Sequence, residues 1–354
     1  MGIIVCNGRK KATGMRPPAL KRFAITDVMI NELSTNPYKI YAFGLYLTRN
    51  CNLKCIFCLS DAGDVLEDEL TLDKRLALVK EAYDLGARQF IISGAGEPLL
   101  DPNFWDIVKL AHDILGMYVI VYSNATCITP EVALRIKSME RLSIISKKFS
   151  FKAEVSNYLY GGNFTDKVDT GFRSLIKAGL NAEVPTRLGF QVPVTRINLP
   201  EIPNLLRYAR ENNLFPQINQ LFLTGRALEN PDLYIAPEEY RKLYINCKKI
   251  DAEEFGIAWD ECWEPDNPLI AGCCVRPKYW VMVDDVGEIR ACSIDMAARI
   301  GNCRDSTLLE VFKQNPERVL EIRNSFEEND CYGCNEPEAT CKANIFEGGR
   351  DLSR

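Results

Sequence analysis

The run Thr48-Arg49-Asn50-Cys51-Asn52-Leu53-Lys54-Cys55-Ile56-Phe57-Cys58 spaces three thiols as C-x3-C-x2-C, directly after an apolar, strand-like stretch at residues 40–47. Thiolates this close together at a strand exit can wrap one iron–sulfur cube, whose irons are held by cysteine sulfur. Three thiolates on a four-iron cube leave one iron open to a small molecule. The same thiols could instead form a zinc knot or stay buried and inert. Zinc sites usually come as paired C-x2-C units or with histidine, and this chain has a single histidine, His112. Cys51, Cys55 and Cys58 are therefore expected to carry the metal and the catalysis.

A second segment supports that reading. Residues 88–93 (RQFIIS) read as a short buried strand running into Gly94-Ala95-Gly96-Glu97-Pro98. Glycines let backbone approach a ligand with no side chain between them. The cysteine motif followed by this turn resembles the radical S-adenosylmethionine (SAM) superfamily. The resemblance implies a 4Fe–4S cluster on the three cysteines, with SAM chelating the open iron through its amino and carboxylate groups. It also implies that the backbone of residues 94–98 hydrogen-bonds the SAM ammonium. Ala95 departs from the family's usual glycine, which is tolerable only if the backbone there does not need a positive φ.

Strand-like and helix-like stretches then alternate. Helices are expected at 71–85, 102–115, after Pro130, at 167–178 and after Pro200; strands at 88–93, 118–122, 142–146, 188–194 and 220–224. Repeated strand–helix units imply parallel strands with helices outside. Six units match the partial (β/α)6 barrel of the family, an α/β fold with its chemistry at the C-terminal strand ends. The expected organisation is an N-terminal extension at 1–38, the barrel at 39–235, a linker helix at 236–256, and a small cysteine-rich α+β domain at 257–354.

The barrel resemblance nominates further SAM contacts. Ser123 and Asn124 would face the nucleoside, although such a pair can equally start a turn. Lys147 and Ser150 would meet the ribose or carboxylate, Gln191 would lie on the fifth strand, and Leu223 would back the adenine. Phe57 would shield the cluster.

Eight of the fourteen cysteines lie between residues 262 and 341. Cys274 and Cys292 flank a hairpin-like stretch with Asp285-Val286-Gly287 in its turn; Cys331 and Cys334 follow as C-x2-C. This pattern resembles the SPASM and shorter twitch auxiliary-cluster domains, which implies one auxiliary 4Fe–4S cluster on those four. With Cys262, Cys273, Cys303 and Cys341 the ligands reach eight, enough for a second cluster, and a zinc ribbon could use the same pairs. Cys127 and Cys247 fall outside every cluster pattern. Either could donate a hydrogen atom to a substrate radical, or be a small buried residue.

Clustered cysteines beside an iron–sulfur motif suggest a reducing, cytoplasmic setting. A net charge of −5 and a pI near 5.3 give no reason to expect a nucleic-acid partner. No stretch reaches the roughly 18–20 apolar residues of a membrane span. The resemblance implies reductive cleavage of SAM to a 5′-deoxyadenosyl radical that takes hydrogen from the substrate, with a reducing partner such as flavodoxin or ferredoxin. Only about forty residues precede the first strand, too few for an ordinary independent peptide-binding domain. That favours a small polar metabolite such as a sugar or aminocyclitol, dehydrogenated or epimerised. The alternative is a peptide- or protein-modifying maturase; a non-catalytic electron carrier would have no use for the turn at 94–98.

Overall fold

The computed structural model describes residues 20–257, 276–292 and 298–328. The apolar stretches become parallel strands β1 (Ala42–Leu45), β2 (Gln89–Ile92), β3 (Tyr118–Tyr122), β4 (Leu142–Lys147), β5 (Leu188–Val194) and β6 (Phe215–Gln220), each paired to the next. A short helix α1 (Asp27–Leu33) precedes them. Helices α2 (Leu72–Asp84), α3 (Phe104–Lys109), α4 (Pro130–Ser138), α5 (Ala153–Tyr160), α6 (Thr165–Lys177) and α7 (Ile202–Glu211) make the crossovers. Thr71 and Thr129 start α2 and α4 by accepting hydrogen bonds from Lys74 N and Val132 N, which satisfies backbone donors that a helix start leaves unpaired.

Successive strand residues point to opposite faces. Phe43, Phe90, Val121, Ile144 and Phe190 pack outward beneath the helices. Ala42, Ile91, Ile120, Ile145 and Phe215 share a second core, inside the sheet's curve, with Leu20, Ile30 and Leu33 from the chain's start. The N-terminal segment thus plugs one end of the lumen. Polar and reactive groups are left to the other end, where the strands finish.

Two expectations need correction. The sixth strand lies at Phe215–Gln220, not 220–224. Pro216, which argues against a central strand, is accommodated because β6 ends the sheet. The segment after β4 holds the unanticipated α5, capped by Gly161 at φ +71°. The expected linker helix is α8 (Pro237–Glu254), and it is fastened to the barrel. Arg210 of α7 makes a bidentate, fully buried pair with Asp251 at 2.8 and 2.7 Å.

The hairpin around Gly287 is present, formed by β7 (Trp280–Val283) after the short helix α9 (Arg276–Tyr279), and β8 (Glu288–Arg290). Gly287 sits at φ +92°, a conformation costly for other residues. Then follow β9 (Arg299–Asn302), α10 (Leu308–Gln314) and α11 (Pro316–Glu328). β7 pairs in parallel with β1, so one nine-stranded sheet runs β6-β5-β4-β3-β2-β1-β7-β8-β9 across the boundary expected at residue 257.

Candidate functional site

The three-cysteine loop leaves β1 and is fixed from several directions. Glu69 Oε1 accepts from Thr48 Oγ1, Arg49 N and Leu66 N. Cys51 N donates to Gly63 O at 2.8 Å. On another side Lys54 N and Ile56 N donate to Tyr160 O and Leu159 O, both at 3.2 Å. Gly161 follows so closely that a Cβ there would lie 2.1 Å from Lys54 O. Phe57 packs edge-on against Phe149 at 5.0 Å, and Phe149 packs at a tilt against Tyr160 at 4.5 Å. Phe57 thus anchors the loop to the barrel wall.

The turn after β2 is pressed against the same loop. Gly96 N and Glu97 N donate to Thr48 O and Asn50 O at 2.9 and 2.8 Å. A Cβ on Gly96 would meet Asn50 O at 2.1 Å, and one on Gly94 would meet Gly96 O at 1.8 Å. Both glycines are required by close approach. Ala95 is not among the described non-glycine residues with positive φ, so its methyl costs nothing there. It packs with Tyr46 and Met282. An ammonium group only donates hydrogen bonds, so what this turn can offer it is carbonyl oxygen.

Glu97 turns into the protein instead of outward. Its carboxylate accepts from Ser123 Oγ at 2.8 Å, Asn124 N at 2.6 Å and Leu99 N at 3.2 Å. Burial pushes its pKa up, against those hydrogen bonds. Ser123 and Asn124 are both buried. Their side chains tie strand exits together: Asn124 Nδ2 donates to Asn52 Oδ1 at 2.9 Å and lies 4.0 Å from Cys51 Sγ, while Asn52 Nδ2 donates to Thr126 Oγ1 at 2.8 Å.

Lys147, at the end of β4, donates to Gln191 Oε1 and lies 5.7 Å from the centre of the Tyr122 ring. Burial lowers its pKa, opposed by Cys55 and Glu97. Tyr122 OH donates to Gln217 Oε1 at 2.8 Å. Gln217 was not singled out in the sequence, yet β6 brings it to the wall opposite β3. Ser150 lies apart, donating to Glu201 Oε2 at 2.7 Å. Leu223 is exposed, beyond the end of β6.

The remaining cysteines separate by environment. Cys127 is half-buried beside Thr126 near the mouth. Cys247 is fully buried on α8 in the outer core, packed under the helices and not among the strand-end residues, and burial raises its pKa to about 12. Cys303 is also fully buried, and its Sγ donates to Gly287 O at 3.3 Å, which argues against a ligand role. Cys292 is half-buried just after β8. Cys262, Cys273, Cys274, Cys331, Cys334 and Cys341 lie outside the described residues.

The donor set suits an iron–sulfur cube. Burial pushes the Cys51 and Cys55 thiols up, and the neighbouring cysteines add to it, while Arg226 pulls both down and Lys147 pulls Cys55 down. Such thiols give up their protons readily only to a cationic group that takes the proton's place. Ala62 N donates to Cys58 Sγ at 3.5 Å. Among the described residues no three such side chains converge as they would on a single metal ion; a cube does not require it, since each thiolate meets its own iron.

Residues 45–209 match the model of the radical SAM superfamily. That stretch, which carries the barrel, is a radical SAM domain. A 4Fe–4S cluster and SAM are its cofactors. An AdoMet-dependent heme synthase of Methanosarcina barkeri is 25% identical over 87% of this chain and 91% of its own length. A mycofactocin maturase of Mycolicibacterium smegmatis is 25% identical over 86% of this chain and 79% of its own. In fold, the chain is similar to Streptococcus suis SuiB bound to precursor peptide SuiA, with a TM-score of 0.60 at 14% identity, covering 90% of this chain and 78% of that one. No helix among the described residues is long and apolar enough to cross a membrane.

Proposed function

We propose that this radical SAM enzyme is a maturase that modifies a peptide or protein substrate by an oxidation. The similarity to mycofactocin maturase along 86% of the chain carries the reading. It replaces the expectation of a sugar or aminocyclitol substrate, which none of the relatives described above supports. The similarity to an AdoMet-dependent heme synthase favours a second reading, a porphyrin substrate. Against it, the single histidine, His112, is held at the far end of the barrel, where Nδ1 meets Asp113 Oδ1 and Nε2 accepts from Arg141 N. No imidazole is thus offered at the mouth to a haem iron.

With its cluster reduced by a partner such as flavodoxin or ferredoxin, SAM supplies the hydrogen-abstracting radical. The residues of this chain do the placing. Cys51, Cys55 and Cys58 hold the cluster, and carbonyls of the 94–98 turn take the SAM ammonium. Lys147 with Gln191 faces its carboxylate and ribose, while Tyr122 and Gln217 line the lumen beyond. Cys274, Cys292, Cys331 and Cys334 would hold one auxiliary cluster, which would supply the acceptor for the second electron. Burial at the strand ends would keep water from a radical formed there.

The test uses reconstituted enzyme, dithionite and SAM. Extract of the producing cell is supplied either untreated or after protease digestion, and 5′-deoxyadenosine is measured. Stimulation that protease abolishes supports the maturase. Stimulation that survives digestion and follows a coloured tetrapyrrole fraction supports the second reading. No 5′-deoxyadenosine at all would sink both.

A further inference from the structure

β6 is one end of the sheet, and the residues just past it reach across the mouth to the cysteine loop that follows β1. Gly225, at φ +54°, comes so near the cysteine loop that a Cβ would lie 2.3 Å from Cys58 O. Next to it Arg226 N donates to Cys58 O at 3.0 Å. The Arg226 guanidinium continues along the same loop: Nε donates to Cys55 O at 2.9 Å, and both terminal nitrogens donate to Ala62 O at 3.0 Å. Asn230 Nδ2 adds a bond to Ile56 O at 3.0 Å. Two residues thus hold four carbonyls of the loop, those of Cys55, Ile56 and Ala62 through side chains and that of Cys58 through the Arg226 backbone N–H.

We propose that Arg226 is a positioning residue for the cysteine loop, setting its thiols for the cluster and, through its charge, making the cluster easier to reduce. This rests on the radical SAM reading of Cys51, Cys55 and Cys58. Two physical effects separate. The planar fork matches several carbonyls at once, which a lysine ammonium cannot do from one point. The charge acts regardless of geometry, because a fixed cation favours the more negative, reduced cluster. Asp61 tempers that charge, with Oδ1 at 2.9 Å from Arg226 Nη1 and its carboxylate largely exposed.

The experiment reconstitutes wild type, Arg226→Gln, Arg226→Lys and Asp61→Asn anaerobically, then measures iron per chain and the cluster's midpoint potential by EPR-monitored titration without SAM. Arg226→Gln should bind less iron. Its remaining cluster should be about tenfold harder to reduce at a given potential, a downward shift of about 59 mV for one electron. Arg226→Lys should recover the potential but not the iron content. Asp61→Asn, whose side chain tolerates the positive φ of 47° there, should shift the potential the other way, by about threefold in the reduction equilibrium. That variant keeps the idea testable if Arg226→Gln does not fold. Wild-type iron content and potential in Arg226→Gln, or a downward shift in Asp61→Asn, overturns it. Absence of a cluster in wild type would instead sink the radical SAM reading itself.

Discussion

Asn124 Nδ2 lies 2.9 Å from Asn52 Oδ1 and 4.0 Å from Cys51 Sγ, so the exit of β3 is tied to the first cysteine of the loop after β1. The pair is buried at its Asn124 end. Asn124→Ala removes the donor while leaving the backbone bond to Glu97 in place. It should cost about 2 kcal/mol, as expected when a buried partner is left unmet. Denaturant unfolding of the cluster-free chain gives the value, and a loss under about 0.5 kcal/mol would show the tie to be incidental.

Gly96 offers a sharper steric test. Its missing Cβ is what allows Asn50 O to sit where a methyl would lie 2.1 Å away. Gly96→Ala must push the turn and the cysteine loop apart. Overpacking of this kind costs about 3 kcal/mol, and iron uptake on reconstitution should fall with it. Full iron loading at wild-type stability would contradict the contact.

Glu97 predicts a pH dependence. Its pKa is raised above the ordinary 4.5, mainly by burial. The folded chain therefore keeps this proton to higher pH than the unfolded chain does. Stability from this group is present at low pH and declines as pH climbs from the ordinary carboxylate range through the raised value. Glu97→Gln should flatten that slope in the cluster-free protein as pH climbs above the ordinary carboxylate range. Parallel wild-type and variant curves would count against it.

The cysteine sets can be told apart by counting iron. Wild type should bind about eight irons, four per cube. Replacing Cys51, Cys55 and Cys58 together with alanine should abolish SAM cleavage and leave about four. Cys331→Ala with Cys334→Ala should still cleave SAM yet lose substrate turnover. About twelve irons in wild type would demand a second auxiliary cluster, and bound zinc with about four irons would remove the auxiliary cluster altogether.

The sequence made β1 to β5 and the reactive loop legible because their signals are local. Val119 and Val121 alternate with Ile120 within one strand, and the three cysteines lie within eight positions. Pro216 masked β6 because its tolerance depends on β6 ending the sheet, a tertiary fact. Arg226 was invisible for a similar reason. Its partner Cys55 is 171 residues away, and a lone arginine after a strand has no local signature. Ser123 and Asn124 were legible as polar residues at a strand exit. That they brace Glu97 and Asn52 depended on where neighbouring strands finish.

The parallel pairing of β1 with β7 also sets an order of events during synthesis. Ala42–Leu45 leaves the ribosome long before Trp280–Val283, its partner on one side. Until then β1 is bordered only by β2, with a row of backbone donors and acceptors open to any other strand. Contacts this distant in sequence form slowly, because a long loop must close first. A chain truncated before residue 276 would keep that exposed edge permanently. Its predicted fate is aggregation, even though every cysteine of the first cluster is present.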